Sequence, residues 1–166
     1  MVTDSNSKNI QPEDVIVRDY TPLDHADFCR LNKAWISEHW TIEQRDIEEM
    51  QQFAEGVVGG FILLATINEK VVGTIAMIHT DMQGYDYELA KFTTDIAMRG
   101  CGIGRKLIAA AVSRCDAENK GRIYIITNKL CHAAIYLYEQ FGFTFIPGKS
   151  SVFERGDYLM HRLPGI

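Results

Sequence analysis

Arg99-Gly100-Cys101-Gly102-Ile103-Gly104-Arg105-Lys106-Leu107 lies between a strand-like run and a long helical pattern. From Ile103 onward, Leu107, Ile108, Ala111, Val112 and Cys115 recur at three- and four-residue steps, the buried stripe of an amphipathic helix. The three glycines therefore stand at the start of that helix. A first helical turn leaves backbone N–H groups without intrahelical acceptors, and the helix dipole favours negative charge there. Glycine lets this backbone approach phosphate oxygens without Cβ obstruction. Arg99, Arg105 and Lys106 flank the loop in a chain of formal net charge −5. The pattern describes an anion cradle. A glycine-rich tight turn with solvated basic residues has the same spacing, and spacing alone does not separate the two.

Two familiar phosphate binders fit less well. A Walker A loop requires Gly-Lys followed by Ser or Thr, which is absent. A dinucleotide fingerprint requires a third glycine where Arg105 or Leu107 stands, and it normally occupies the first strand–helix–strand unit.

Working outward, Val15-Ile16-Val17 within 14–20 reads as a first strand. Thr21-Pro22 starts a helix that carries Leu31, Ala34 and Trp35, and Thr41 with Gln44 has capping-box spacing for a second. Residues 60–66 and 71–78 read as a hairpin turned at Asn68-Glu69-Lys70, and 85–94 as a further strand. After the long helix come a strand at 122–127 and a helix at 133–141 stopped by Gly142. Two last strands, at 143–146 and 158–160, flank a Pro-Gly-Lys-Ser-Ser loop. No repeat or composition break divides residues 13–166, which are expected to form one domain, with 1–12 as a flexible tail. The order predicts a mixed α/β sheet covered by helices.

An acidic balance argues against a nucleic-acid partner, because phosphate backbones recruit clustered Lys and Arg. The polar first residues lack the apolar core of a secretory signal, and the apolar run at 59–67 is too short to span a bilayer. Cys29, Cys101, Cys115 and Cys131 are widely spaced with no C-x-x-C pair, which fits free thiols in the cytoplasm. The histidines show no metal-ligand spacing, so no metal is expected. A homodimer is left open.

Arg99, Gly102 and Gly104 match Arg/Gln-x-x-Gly-x-Gly/Ala, and Ala134-Ile135-Tyr136-Leu137-Tyr138-Glu139-Gln140-Phe141-Gly142-Phe143 matches Ala-x-x-Leu-Tyr-Glu-x-x-Gly-Phe. With Tyr87-Glu88-Leu89-Ala90-Lys91 upstream and Thr127-Asn128 between, the chain resembles the GNAT superfamily of N-acetyltransferases from Val15 to about Leu163. Cys131 stands where many members have asparagine. The resemblance implies a GNAT-like fold: a mixed, mostly antiparallel sheet, splayed between its fourth and fifth strands, with helices on both faces. It implies acetyl-CoA, with pantetheine along Phe92, Thr93 and Thr94 and the pyrophosphate on Gly100, Cys101, Gly102, Ile103 and Gly104. Arg99 and Arg105 would add charge, and Asn128 and Tyr138 would reach the acyl end.

The implied reaction is direct attack of a primary amine of a small molecule or peptide on the thioester. It needs a proton acceptor for the amine and a donor for the leaving thiolate. The resemblance assigns the donor to Tyr138, a residue equally suited to packing in the core. In an unbroken strand Glu88, Ala90, Phe92 and Thr94 share a face, which makes Glu88 the candidate base, directly or through a water. An exposed or substrate-binding Glu88 fits the same pattern, and Asp86 is the second choice. The resemblance implies that Trp35, His39 and Trp40 lie in the region of the acceptor pocket, where Trp35 and Trp40 are candidates to line a slot or to pack in the core. The competing function is a catalytically weak acyl-CoA-binding sensor or regulatory module; a nucleotide-binding protein ranks third.

Overall fold

The computed structural model describes residues 10–147 and 155–164. Its strands are β1 (Ile16–Asp19), β2 (Phe61–Ile67), β3 (Lys70–His79), β4 (Tyr87–Thr94), β5 (Ile123–Thr127), β6 (Thr144–Phe145) and β7 (Tyr158–Arg162). Its helices are α1 (His25–His39), α2 (Gln44–Gln51), α3 (Ile103–Ala117) and α4 (His132–Gln140). One seven-stranded sheet runs β1-β2-β3-β4-β5-β7-β6, antiparallel throughout except for β4 against β5. This is the predicted element order and fold class. No helix among the described residues is long and apolar enough to cross a membrane.

The β2–β3 hairpin closes on Asn68 and Glu69, both at positive φ (48° and 67°). A two-residue turn of this hand matches the twist of the strands it joins. The helix stripe read from the sequence is the buried face of α3, residue for residue: Ile103, Leu107, Ile108, Ala111, Val112 and Cys115. That face and α4 pack on one side of the sheet with Ile75, Met77, Tyr87, Leu89 and Phe143. Phe28, Leu31, Met50 and Phe53 of the α1–α2 side form a separate core on the other face, with Leu64 and Ala76. Helices thus cover both faces.

Several boundaries move. The first strand is shorter than 14–20. The second helix begins at Gln44, not Thr41, because its capping box is Glu43 with Asp46. Asp46 Oδ2 accepts from the Glu43 N–H at 2.8 Å, and Arg155 Nη1 donates to its Oδ1 at 2.7 Å, which fixes the start of the helix there. Pro12 lies in a short 3-10 turn over Pro12–Asp14. Residues 1–9 of the expected tail, and the Gly-Lys-Ser-Ser part of the late loop, lie outside the described residues.

β4 carries the departure that matters for function. Thr74 pairs with Thr93 and Ala76 with Ala90, so β4 has one more residue than β3 over this interval. Lys91 takes φ 51° at the bulge, and the Thr74 hydroxyl donates to its carbonyl at 2.7 Å. A bulge shifts the side-chain alternation by one residue. Phe92 therefore packs on the α3–α4 side with Tyr87 and Leu89. The expectation that Glu88 and Phe92 share a face is overturned for this reason.

Candidate active site

β4 and β5 pair from Tyr87↔Ile123 to Leu89↔Ile125 and no further. Beyond that point β5 stays on β7 as far as Thr127↔Tyr158, while β4 stays on β3 as far as Thr94↔Gly73. The two strands part, and a cavity of about 520 Å³ opens along the Phe92–Thr94 edge.

At one end of the cavity is the glycine loop. Gly100 and Gly102 hold left-handed φ values of 85° and 76°, and Gly102 is the N-cap of α3. Lys106 is the first residue whose N–H reaches back, to the Gly102 carbonyl at 3.1 Å. The N–H groups of Ile103, Gly104 and Arg105 thus belong to the orphan donors of a helix start. A Cβ on Gly104 would lie 3.1 Å from Phe92 Cζ and 3.3 Å from Leu137 Cδ2. Glycine there lets the helix start settle between β4 and α4. The loop has the donors, dipole and backbone access that a pyrophosphate needs.

Of the residues predicted to bind cofactor, Phe92, Thr93, Thr94, Arg99, Gly100, Gly102, Ile103, Gly104 and Arg105 all line this cavity. Cys101 does not; it packs toward the α3–α4 core. Arg99 is ion-paired with Glu38, and Arg105 hydrogen-bonds Gln140. Lys106 turns away, its ammonium donating to the Val15 carbonyl at 2.8 Å. Asn128 is buried and engaged: its Oδ1 accepts from the Leu130 N–H at 2.9 Å and its Nδ2 donates to the Arg155 carbonyl at 3.1 Å. It shapes the turn into α4 and does not line the cavity. Cys131, at that helix start, does, and burial pushes its thiol up, so it is protonated at neutral pH.

Tyr138 is 4% exposed, with its ring 5.7 Å from that of Phe92 and 5.9 Å from that of Phe143. It lies behind Phe92 rather than on the cavity wall. Burial drives its phenol strongly upward, so the hydroxyl keeps its proton. Glu88 lies on the opposite face of the sheet, at the last paired rungs before the strands part. The Tyr124 hydroxyl donates to its Oε2 at 3.1 Å. Burial raises the Glu88 carboxyl above its usual range; the Tyr124 bond opposes this, Glu49 adds to it, and Lys91 opposes it. Asp86, the second choice, is occupied by Arg122, whose Nη2 donates to Oδ1 at 2.9 Å and holds the carboxyl low.

Trp35 lines the cavity; Trp40 does not, but its ring supports Trp35 at 5.5 Å. His39, expected in the acceptor region with the two tryptophans, lines the same wall; Glu38 does too and was missed from sequence, although Trp35, Glu38 and His39 share one helix face by their spacing.

Residues 25–143 match the Acetyltransferase (GNAT) family, well over half of the chain. The chain belongs to the GNAT acetyltransferase family. A GNAT-family acetyltransferase from Staphylococcus aureus superposes with a TM-score of 0.77 at 22% identity, over 89% of this chain and 98% of that one. An acetyltransferase from Streptococcus agalactiae gives 0.75 at 24% identity, over 91% and 99%. Among curated proteins, a mycothiol acetyltransferase from Thermobispora bispora is 27% identical over 80% of this chain and 48% of its own length. The chain thus spans about half the length of that relative.

Proposed function

We propose that the chain transfers an acetyl group from acetyl-CoA to a primary amine of a small molecule or peptide by direct attack. The observation that carries this reading is the continuous cavity from the left-handed glycines of the α3 start to the unpaired edge of β4. A helix start suits a pyrophosphate, and a strand edge suits an extended chain of amides. Bound acetyl-CoA supplies an activated thioester.

The N–H groups from Gly100 to Arg105 hold the pyrophosphate, and the backbone of Phe92, Thr93 and Thr94 aligns the pantetheine. N–H groups near Thr93 stabilise the developing oxyanion. Glu88, at the fork where the strands part, accepts the amine proton directly or through a water, helped by the raised affinity for protons that burial gives it. Tyr138, kept protonated by burial, is the proton donor for the leaving sulfur in this reading, which requires the Phe92 ring between it and the cavity to turn aside. Trp35, backed by Trp40, walls the acceptor side. A small-molecule acceptor is in line with the relative named for mycothiol, whose length the chain half covers. The four cysteines are free thiols, which suits a reducing compartment, and we place the enzyme in the cytoplasm.

Calorimetric titration with acetyl-CoA, followed by thiol release across a panel of primary amines, tests this directly. Binding with amine-dependent thiol release is expected; absence of both overturns it. The burial of Tyr138 behind Phe92 favours one other reading, an acyl-CoA-binding sensor. Tight binding with turnover indifferent to Tyr138→Phe and Glu88→Gln would establish that one instead.

A further inference from the structure

The cavity is cationic at the loop end, where Arg99 and Arg105 line it, yet its wall also holds a carboxylate. Among the described lining residues Glu38 is the one acid. It stands on the last turn of α1, its side chain 21% exposed, ion-paired with Arg99, and with His39 Nε2 3.8 Å from its other oxygen. An acid facing an anion cradle repels the anion unless something neutralises it. Arg99 does so here, and Arg99 therefore has two acidic claimants: Glu38 on one side and any phosphate on the α3 start on the other.

Building on the acetyltransferase reading, we infer that Glu38 binds a second positive charge on the acceptor amine, and that Arg99 couples this binding to occupation of the glycine loop. A phosphate on the loop draws the Arg99 guanidinium away from Glu38. A partly buried carboxylate that loses this partner then favours another cation on the cavity side. The Trp35 ring lines the same cavity, one helical turn before Glu38, and gives an alkylammonium an aromatic surface. The reacting nitrogen must be neutral to attack, so the charge held by Glu38 belongs to a different nitrogen of the acceptor. The acceptor class is a diamine or another amine with a distal ammonium.

Linkage makes the coupling reciprocal. Calorimetry with CoA, which carries no acyl group and so does not turn over, and with putrescine as a diamine probe measures it. In the wild type each is expected to tighten the other by the same factor, at least about fivefold. Glu38→Gln should abolish that coupling, tighten CoA alone by releasing Arg99, and raise the KM for putrescine about tenfold while leaving that for butylamine in place. Arg99→Gln should weaken CoA, tighten putrescine in the absence of CoA, and also abolish the coupling. Circular dichroism establishes that both variants are folded. Wild-type protein that shows no coupling, or a Glu38→Gln variant with an unchanged putrescine-to-butylamine KM ratio, overturns the inference while acetyl transfer stands. Absence of CoA binding in the wild type overturns both.

Discussion

β2–β3 and β4–β5 are neighbouring strand pairs of one sheet with opposite fates. β2 pairs with β3 along its whole length, from Phe61↔Met77 to Ile67↔Lys70, and every residue of β2 is buried. β4 pairs with β5 only as far as Leu89↔Ile125. In the first pair, backbone groups and apolar faces are consumed by the fold. In the second, the chain rises from the end of β4 through the glycine loop into α3, and the bulge at Lys91 turns β4 as it leaves β5. Backbone N–H and C=O groups must find partners somewhere, and an edge that no strand covers is a place for a ligand to supply them. The difference teaches that this sheet is stabilised where it closes, and that the proposed site lies where it fails to close.

That contrast can be broken from either side. On the open side, Gly102→Val forces a β-branched residue into φ 76° at the N-cap of α3. The loop relaxes to another conformation, and binding must restore one strained by up to about 3 kcal/mol, which corresponds to a loss of about 100-fold in acetyl-CoA affinity. Calorimetry should show this with little change in Tm, because the nearest atom to the added Cβ is Pro12 Cγ at 3.8 Å. On the closed side, Gly60→Ala places a Cβ 2.0 Å from the Met77 carbonyl oxygen, which is backbone and cannot step aside. Urea unfolding should show a loss of about 2 kcal/mol, with acetyl-CoA affinity retained.

Thr74→Val sharpens the comparison, because Thr74 belongs to both regions. It sits in the closed β3, and its hydroxyl holds the bulge of the open strand through the Lys91 carbonyl while accepting from Asn32 Nδ2 at 3.3 Å. The isosteric change leaves a part-buried carbonyl and a buried amide short of a partner, a cost of about 1–2 kcal/mol. A bulge that merely adorns the strand predicts a loss of stability alone. A bulge that aims the Phe92–Thr94 edge predicts a several-fold weaker acetyl-CoA as well, and that second result is expected.

The closed region was legible in the sequence because its signals are local. Apolar runs flanking Asn68-Glu69 mark a hairpin, and the Ile103–Cys115 stripe marks the buried face of α3. The glycine loop was legible for the same reason, since helix-start chemistry is written in consecutive residues. The open region was less so. Nothing in Ala90-Lys91-Phe92 announces a bulge, which arises from register against β3, so strict alternation placed Phe92 on the wrong face. Asn128 gave no sign that its amide would be engaged by Arg155 across the sheet. Glu38 was within reach, one turn beyond Trp35, but its importance depends on meeting Arg99, a partner 61 residues away in sequence.

The smallest expected effect concerns the rung one before the last closed one at the fork. Glu88 pairs with Tyr124 across β4–β5, and the phenol donates to the carboxylate there. Acting as a base, Glu88 must be deprotonated, so activity falls as pH drops through its raised pKa. The Tyr124 bond favours the charged form and lowers that pKa against the effects of burial and Glu49. Tyr124→Phe removes the opposing contact and keeps the ring, which packs 5.3 Å from Tyr85. The acid limb of kcat/KM against pH should therefore move to higher pH, with the plateau above it nearly unchanged and acetyl-CoA affinity unaltered. A uniform loss at every pH would mean that Tyr124 only packs the fork. A limb that stays in place in Tyr124→Phe and persists in Glu88→Gln would move the base elsewhere, and the fork would then mark where the sheet opens without being where the proton goes.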